Sequence, residues 1–159
     1  MESFQPGDIV FSKDKSLTSS IIQWRTMSQW SHVGVIVGKK KDNGWKTISA
    51  RGKGVVYERL LDWTGYIQIL RVNDITEQQR ENFVNFCIEQ VGKQYDIWGF
   101  LDFFCMKKIQ REDRWFCSEL IYRGLLNSGI DIFKNKKTPN FVTPGDLYEN
   151  PSLKMIGEL

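Results

Sequence analysis

Two stretches of this sequence hold the residue types needed for nucleophilic chemistry on a carbonyl. They are Trp115-Phe116-Cys117-Ser118-Glu119-Leu120-Ile121-Tyr122 and, far upstream, Trp30-Ser31-His32-Val33-Gly34-Val35. After Cys117, apolar residues at Leu120, Ile121, Leu125 and Leu126 recur with a helical period, and Gly129 supplies a stop. A thiol in the first turn of a helix meets the positive end of the peptide dipole and unpaired N–H groups. Both favour thiolate over thiol, and the thiolate is the nucleophile. His32, the sole histidine, stands just before the apolar run Val33 to Val37. A helix-start cysteine and a strand-start histidine are the two parts of a nucleophile–base pair, which points to a cysteine hydrolase. Read singly, each has a plainer explanation, since cysteine is among the most buried residue types and a histidine beside a strand is commonly structural.

The rest of the chain must position that pair. At 159 residues it is long enough for one domain, 1–159, with a real core and no need of staples. A net charge of +3 spread over interspersed charges of both signs gives no reason to expect a nucleic-acid partner. The runs Lys39-Lys40-Lys41 and 134–137 read as solvated loops. Cysteines at 87, 105 and 117 are odd in number and widely spaced, so no disulfide framework is expected. With one histidine they make no zinc site either, and no metal or cofactor is expected. The segment Met1 to Pro6 lacks the charged and apolar regions of a secretory signal. The longest apolar stretch, Ile97 to Met106, is broken by Gly99 and Asp102 and is too short to span a bilayer. A soluble protein made in the reducing cytoplasm is the expectation, with peripheral membrane contact and delivery elsewhere left open.

In chain order, Gly7-Asp8 turns into a short strand ending near Phe11. Leu17, Ile21, Trp24 and Met27 have helical spacing within 16–28. Val33 to Val37 reads as a strand buried on both faces. Asp42-Asn43-Gly44 is hairpin chemistry leading to a return strand, Trp45 to Ala50. Val55 to Tyr57 and Tyr66 to Val72 read as further strands. Thr76 with Gln79 forms a capping box for a helix whose apolar face is Phe83, Phe86, Cys87 and Val91, ended by Gly92. Cys87 on that face reads as a core residue. The aromatic segment 97–109, with Cys105 packed in it, reads as a helix or a covering lid. Beyond the Cys117 helix come a loop with Pro139 and Pro144, then Asp146-Leu147-Tyr148 and an irregular tail. The sum is α+β, a small antiparallel sheet with helices packed on it.

Four motifs then carry a resemblance. Ser31-His32-Val33-Gly34-Val35, Gly92-Lys93-Gln94-Tyr95-Asp96, Cys117-Ser118-Glu119-Leu120-Ile121 and Thr143-Pro144-Gly145-Asp146-Leu147 resemble the NlpC-like cysteine peptidases. More closely they resemble the circularly permuted YiiX-like branch, in which the histidine strand precedes the tyrosine and cysteine segments. The likeness runs from Pro6-Gly7-Asp8 to Leu147. It implies a permuted papain-like fold, with a nucleophile helix packed on a small antiparallel sheet or barrel bearing the base. By position it implies Cys117 as nucleophile and His32 as general base and then general acid. The third, orienting residue would come from the strand paired with the histidine strand. In the branch this is often Glu before Ala; here the pair is Ser49-Ala50. Ser49 brings no negative charge, so a backbone carbonyl or Glu58 is the alternative orienter. Tyr95 matches the family tyrosine near the nucleophile, where its hydroxyl can help bind an oxyanion beside the Cys117 N–H. Otherwise it is a packed aromatic. Trp30, Ser31, Trp115 and Ser118, which flank the pair, are the candidates for substrate contact, with aromatic packing the alternative for the tryptophans. Glu119 reads as a helix-start residue favoured by the dipole.

The implied reaction is cleavage of an acyl bond through a thioester on cysteine. An amide of the peptide or cell-wall stem-peptide (peptidoglycan) type is placed slightly ahead. Hydrolysis or transfer of an acyl-lipid ester or thioester by the same pair, as in lecithin:retinol acyltransferase-like proteins, is the second reading. A catalytically silent binding protein on the same fold is the third, and the serine at the orienting position is its support.

Overall fold

A computed structural model describes residues 3–13, 29–39, 44–51, 54–95, 114, 115 and 117–159. The helix expected over 16–28 and the aromatic segment 97–109, with Cys105, lie outside the described residues. Strands β1 (Ile9–Lys13), β2 (His32–Lys39), β3 (Trp45–Arg51), β4 (Gly54–Arg59), β5 (Tyr66–Val72) and β8 (Leu153–Glu158) form one antiparallel sheet of order β4-β3-β2-β1-β5-β8. Two short strands, β6 (Gln94–Tyr95) and β7 (Arg114–Trp115), pair in parallel. The helices are α1 (Glu77–Glu89), α2 (Cys117–Asn127) and α3 (Pro144–Tyr148).

Strand β2 is apolar at nearly every position because both faces of the sheet are covered. On one face Val33, Val35, Ile48 and Ala50 share a core with Phe83, Cys87, Leu120, Ile121 and Leu125 from α1 and α2. On the other, Ile36 packs with Val10, Leu60, Trp63, Ile67 and Ile69. Cys87 is fully buried, as its place on the apolar face of α1 requires. The Thr76–Gln79 capping box is present in both directions at the start of α1. Helix α2 stops at Gly129, whose φ of +79° disfavours any side chain, while the Ile130 N–H returns to Leu125 O at 2.9 Å. Asp8, itself buried, takes two bonds from Arg71 (Nε at 2.7 Å and Nη2 at 2.9 Å), tying the entry to β1 onto β5.

The C-terminal part is more regular than its sequence suggested. Thr143 and Asp146 make a second capping box, so Asp146-Leu147-Tyr148, to which the sequence assigns no element, is helical, and the helix takes in Pro144 from the expected loop. The expected irregular tail is strand β8, paired with β5. A register shift between Ile69 and Leu70 interrupts that ladder, and burial along β8 falls on Leu153, Ile156 and Gly157 instead of alternating. Period-two alternation, the usual signature of a half-buried strand, is therefore missing.

Helices α1 and α2 cross where Gly124 lets the backbones approach. A Cβ there would stand 2.7 Å from the Phe83 ring and 3.2 Å from Cys87 Sγ. Gly124→Ala should therefore lower unfolding stability by about 1–3 kcal/mol, the usual cost of overpacking. The expected readout is a lower urea midpoint at unchanged slope; an unchanged midpoint would show that Phe83 has room to move.

Candidate active site

Cys117 is the first residue of α2 and His32 the first of β2, and α2 packs on β2. The thiol is buried, and the backbone N–H groups of Val33 and Ser118 point at its sulfur. The start of the helix thus meets the start of the strand one residue from His32. The imidazole stands against Trp63, with ring centroids 5.0 Å apart. Its Nε2 is buried and has no hydrogen-bond partner among the described residues. The sulfur lies by the Val33 N–H and the imidazole lies against Trp63, and among the described contacts no hydrogen bond joins thiol and imidazole.

Ser49 lies on the neighbouring strand, directly opposite Gly34. Strand alternation puts it on the same sheet face as Gly34 and His32. Its hydroxyl donates to Glu58 Oε2 at 2.5 Å, so lone pairs on its oxygen are what remain for an imidazole N–H. Glu58 Oε1 lies 2.5 Å from Arg51 Nε, an ion contact without hydrogen-bond alignment at that nitrogen. The Arg51 guanidinium lies over the Trp63 ring, 5.2 Å from its centroid. Gly34 lets this arrangement close, because a Cβ there would fall 2.9 Å from the Trp63 ring and 2.7 Å from Ile48 O. Arg51 was missed in the sequence. The signal was present, since Arg51 follows Ser49 by two residues on the same face, and continuing the Gly34–Ser49 register sets it across from His32.

The electrostatics differ from the expectation for a helix-start thiol. Burial pushes the Cys117 thiol pKa up, and this outweighs the pull of the Val33 and Ser118 N–H groups and the Arg51 charge. Burial also pushes His32 well below the ordinary imidazole value, helped by the Arg51 charge. Both shifts favour neutral thiol beside neutral imidazole. The dipole argument correctly identified donors at the sulfur but left out desolvation.

The flanking candidates are tethered or enclosed. Ser118 Oγ donates to Val142 O at 2.5 Å, linking α2 to the chain before α3. Ser31 donates to Ser12 O from both its N–H, at 3.1 Å, and its hydroxyl, at 3.3 Å. Trp30 is only 1% exposed, packed between Tyr148 and Phe11 at 4.4 and 5.9 Å, so aromatic packing is what it shows. Glu119 accepts from Arg123 Nε at 2.9 Å within α2. Tyr95 and Trp115 are paired across the β6–β7 ladder, which sets the Tyr95 backbone beside a residue two positions before Cys117. Lys93 O accepts from Val55 N at 2.8 Å and so ties the approach to β6 onto β4.

The His32 shift has a consequence for stability. Its folded pKa lies below the unfolded value of ~6.5, so the unfolded chain takes up the proton first on acidification. The contribution is fully present above ~6.5 and is lost as pH falls toward the folded value. Urea midpoints measured from neutral to mildly acidic pH should therefore drop more steeply for the wild type than for His32→Gln. Equal slopes would contradict a buried neutral imidazole.

With this geometry in view, the relatives of the chain fall into place. The sequence pattern described as permuted papain-like amidase enzyme, YaeF/YiiX, C92 family, matches residues 3–156. The uncharacterized protein YiiX of Escherichia coli K12 is 26% identical over 148 residues, covering 86% of this chain and 65% of YiiX. The probable lipoprotein peptidase YaeF of the same organism is 22% identical over 175 residues, covering 90% of this chain and 62% of YaeF. The chain thus spans somewhat under two thirds of the length of these curated relatives. A crystal structure of YiiX from Escherichia coli O157:H7, there described as a metalloprotein, superposes with a TM-score of 0.75 at 22% identity, covering 98% of this chain and 97% of that one. Among the described residues here, no three His, Cys, Asp or Glu side chains gather to hold a metal ion. A central strand that begins on a histidine, a helix that begins on a cysteine, and a match spanning nearly the whole sequence place the chain in the permuted papain-like amidase family.

Proposed function

We propose that this chain is a cysteine amidase that cleaves a peptide-type amide through a thioester on Cys117, with His32 as its base. The observation that carries the reading is the Cys117 sulfur under the Val33 N–H, which sets the thiol beside the strand start that bears the sole histidine. From a neutral pair, His32 takes the thiol proton as sulfur attacks the carbonyl carbon. The oxyanion that forms is met by the backbone N–H at the start of α2, with Tyr95 as the candidate second donor. The C–N bond then breaks, imidazolium hands its proton to the leaving amine, and the acyl group stays on sulfur. Water attacks the thioester, His32 takes its proton, and the carboxylic acid leaves with the thiol restored. Ser49 orients the imidazole through its oxygen, while Glu58 holds the serine hydroxyl.

Peptide or stem-peptide amides fit the amidase family better than lipid esters, and YaeF, a relative, bears the name of a peptidase. No helix among the described residues is long and apolar enough to cross a membrane. A second reading, a silent binding protein on this fold, is favoured by the raised thiol and by a Ser49 hydroxyl spent on Glu58. The two readings part on turnover. With a fluorogenic peptide amide, Cys117→Ala should leave no measurable rate, and His32→Ala should cost roughly 10²–10⁴-fold in kcat/KM. Ser49→Ala should cost less, on the order of tenfold, since removing a neutral hydrogen bond is worth about 1 kcal/mol. Wild-type turnover equal to that of Cys117→Ala would favour the binding protein. In the wild type kcat/KM should fall on an acid limb below the ordinary imidazole range and on an alkaline limb above the ordinary thiol range. An alkaline limb near neutrality would contradict the neutral pair.

A further inference from the structure

We propose that Arg51 forms an anion subsite beside the cysteine–histidine pair, so that the preferred substrate is an amide carrying a free carboxylate next to the bond that is cut. This rests on the assignment of Cys117 as nucleophile and goes beyond it to the class of substrate. The other described arginine side chains have their terminal nitrogens bonded. Arg59 Nη2 reaches Asp62, Arg71 Nη2 reaches Asp8, Arg80 Nη1 reaches Glu77 and Arg123 Nη2 reaches Asn140. Arg51 is different: Glu58 approaches from its Nε side, and neither Nη group has a hydrogen-bond partner among the described residues.

The surroundings place Arg51 near His32. Arg51 and His32 share one indole, with the Trp63 ring centroid 5.2 Å from the guanidinium carbon and 5.0 Å from the imidazole. Trp63 is 6% exposed and so is held in place by its burial. The Arg51 side chain keeps 39% of its surface exposed, enough for a ligand to reach it. Its charge acts on both Cys117 and His32. A guanidinium fork with free Nη groups accepts a carboxylate in two parallel bonds, whereas a neutral amide has no matching pair of acceptors. Glu58 competes for the same cation from its other side, so the subsite selects among substrates and does not bind free acids tightly.

Alkylation of Cys117 by iodoacetate and by iodoacetamide tests this without a known substrate. In both reactions the sulfur displaces iodide and forms a thioether; the reagents differ only in carboxylate against carboxamide. Rates are read by mass mapping of each cysteine in the intact protein, with free cysteine as the reference. The ratio of iodoacetate to iodoacetamide rates at Cys117 should exceed the free-cysteine ratio by roughly tenfold, the scale of a charge-assisted bond. It should fall to the reference in Arg51→Gln and remain partly raised in Arg51→Lys. The ratio cancels general changes in thiol accessibility, and circular dichroism reports whether each variant is folded. Alkylation of Cys117 with no preference for the anion, or a preference that survives in Arg51→Gln, overturns the subsite and leaves the amidase assignment standing. A Cys117 that reacts with neither reagent until the protein is unfolded overturns both.

Discussion

The burial of α2 on the central strand is the contact from which the rest of the site follows. Leu120, Ile121 and Leu125 are fully buried against Val33, Val35, Ile48 and Ala50. At about 1.5–3 kcal/mol for each large apolar side chain, this packing holds the helix firmly on the sheet. Because Leu120 follows Cys117 by one turn, fixing it also fixes the height of the thiol over β2. The sulfur then has little choice but to sit under the Val33 N–H. Helix and strand are each ordinary; their relative placement makes the site.

That placement also has an electrostatic cost. Taking thiol and imidazole out of water disfavours the charged form of each, and the donors at the helix start offset this only in part. Glu58 is engaged with Ser49 and Arg51. The Glu58 charge sits on β4, one strand beyond Ser49. It reaches the imidazole face through a hydroxyl and is balanced by a guanidinium.

Much of this was legible in the residue order. The helical period after Cys117, the Thr76–Gln79 box and the stop at Gly129 are local signals, and each corresponds to an observed feature. The doubly buried β2 was visible in its continuous apolar run, and the family emerged from four motifs in permuted order. What stayed hidden depends on long-range pairing. Strand β8 lacked alternation because a register shift interrupts its ladder. Helix α3 carried a capping box built on aspartate rather than on the more familiar glutamate or glutamine. Ser118 and Ser31 looked available for substrate, yet their hydroxyls go to carbonyls 24 and 19 residues away in sequence. Arg51 needed the β2–β3 register before its place across from His32 could be seen.

The most direct test of the central claim is to trap the acyl-enzyme. The protein is mixed with an activated nitrophenyl ester, quenched over a time series and examined by intact mass and peptide mapping. One acyl group should appear on Cys117 within a burst of nitrophenol and then disappear as water completes the cycle. In His32→Ala the adduct should form slowly and persist. An acyl group that never appears on Cys117, or one that leaves at the same rate without His32, would contradict the account.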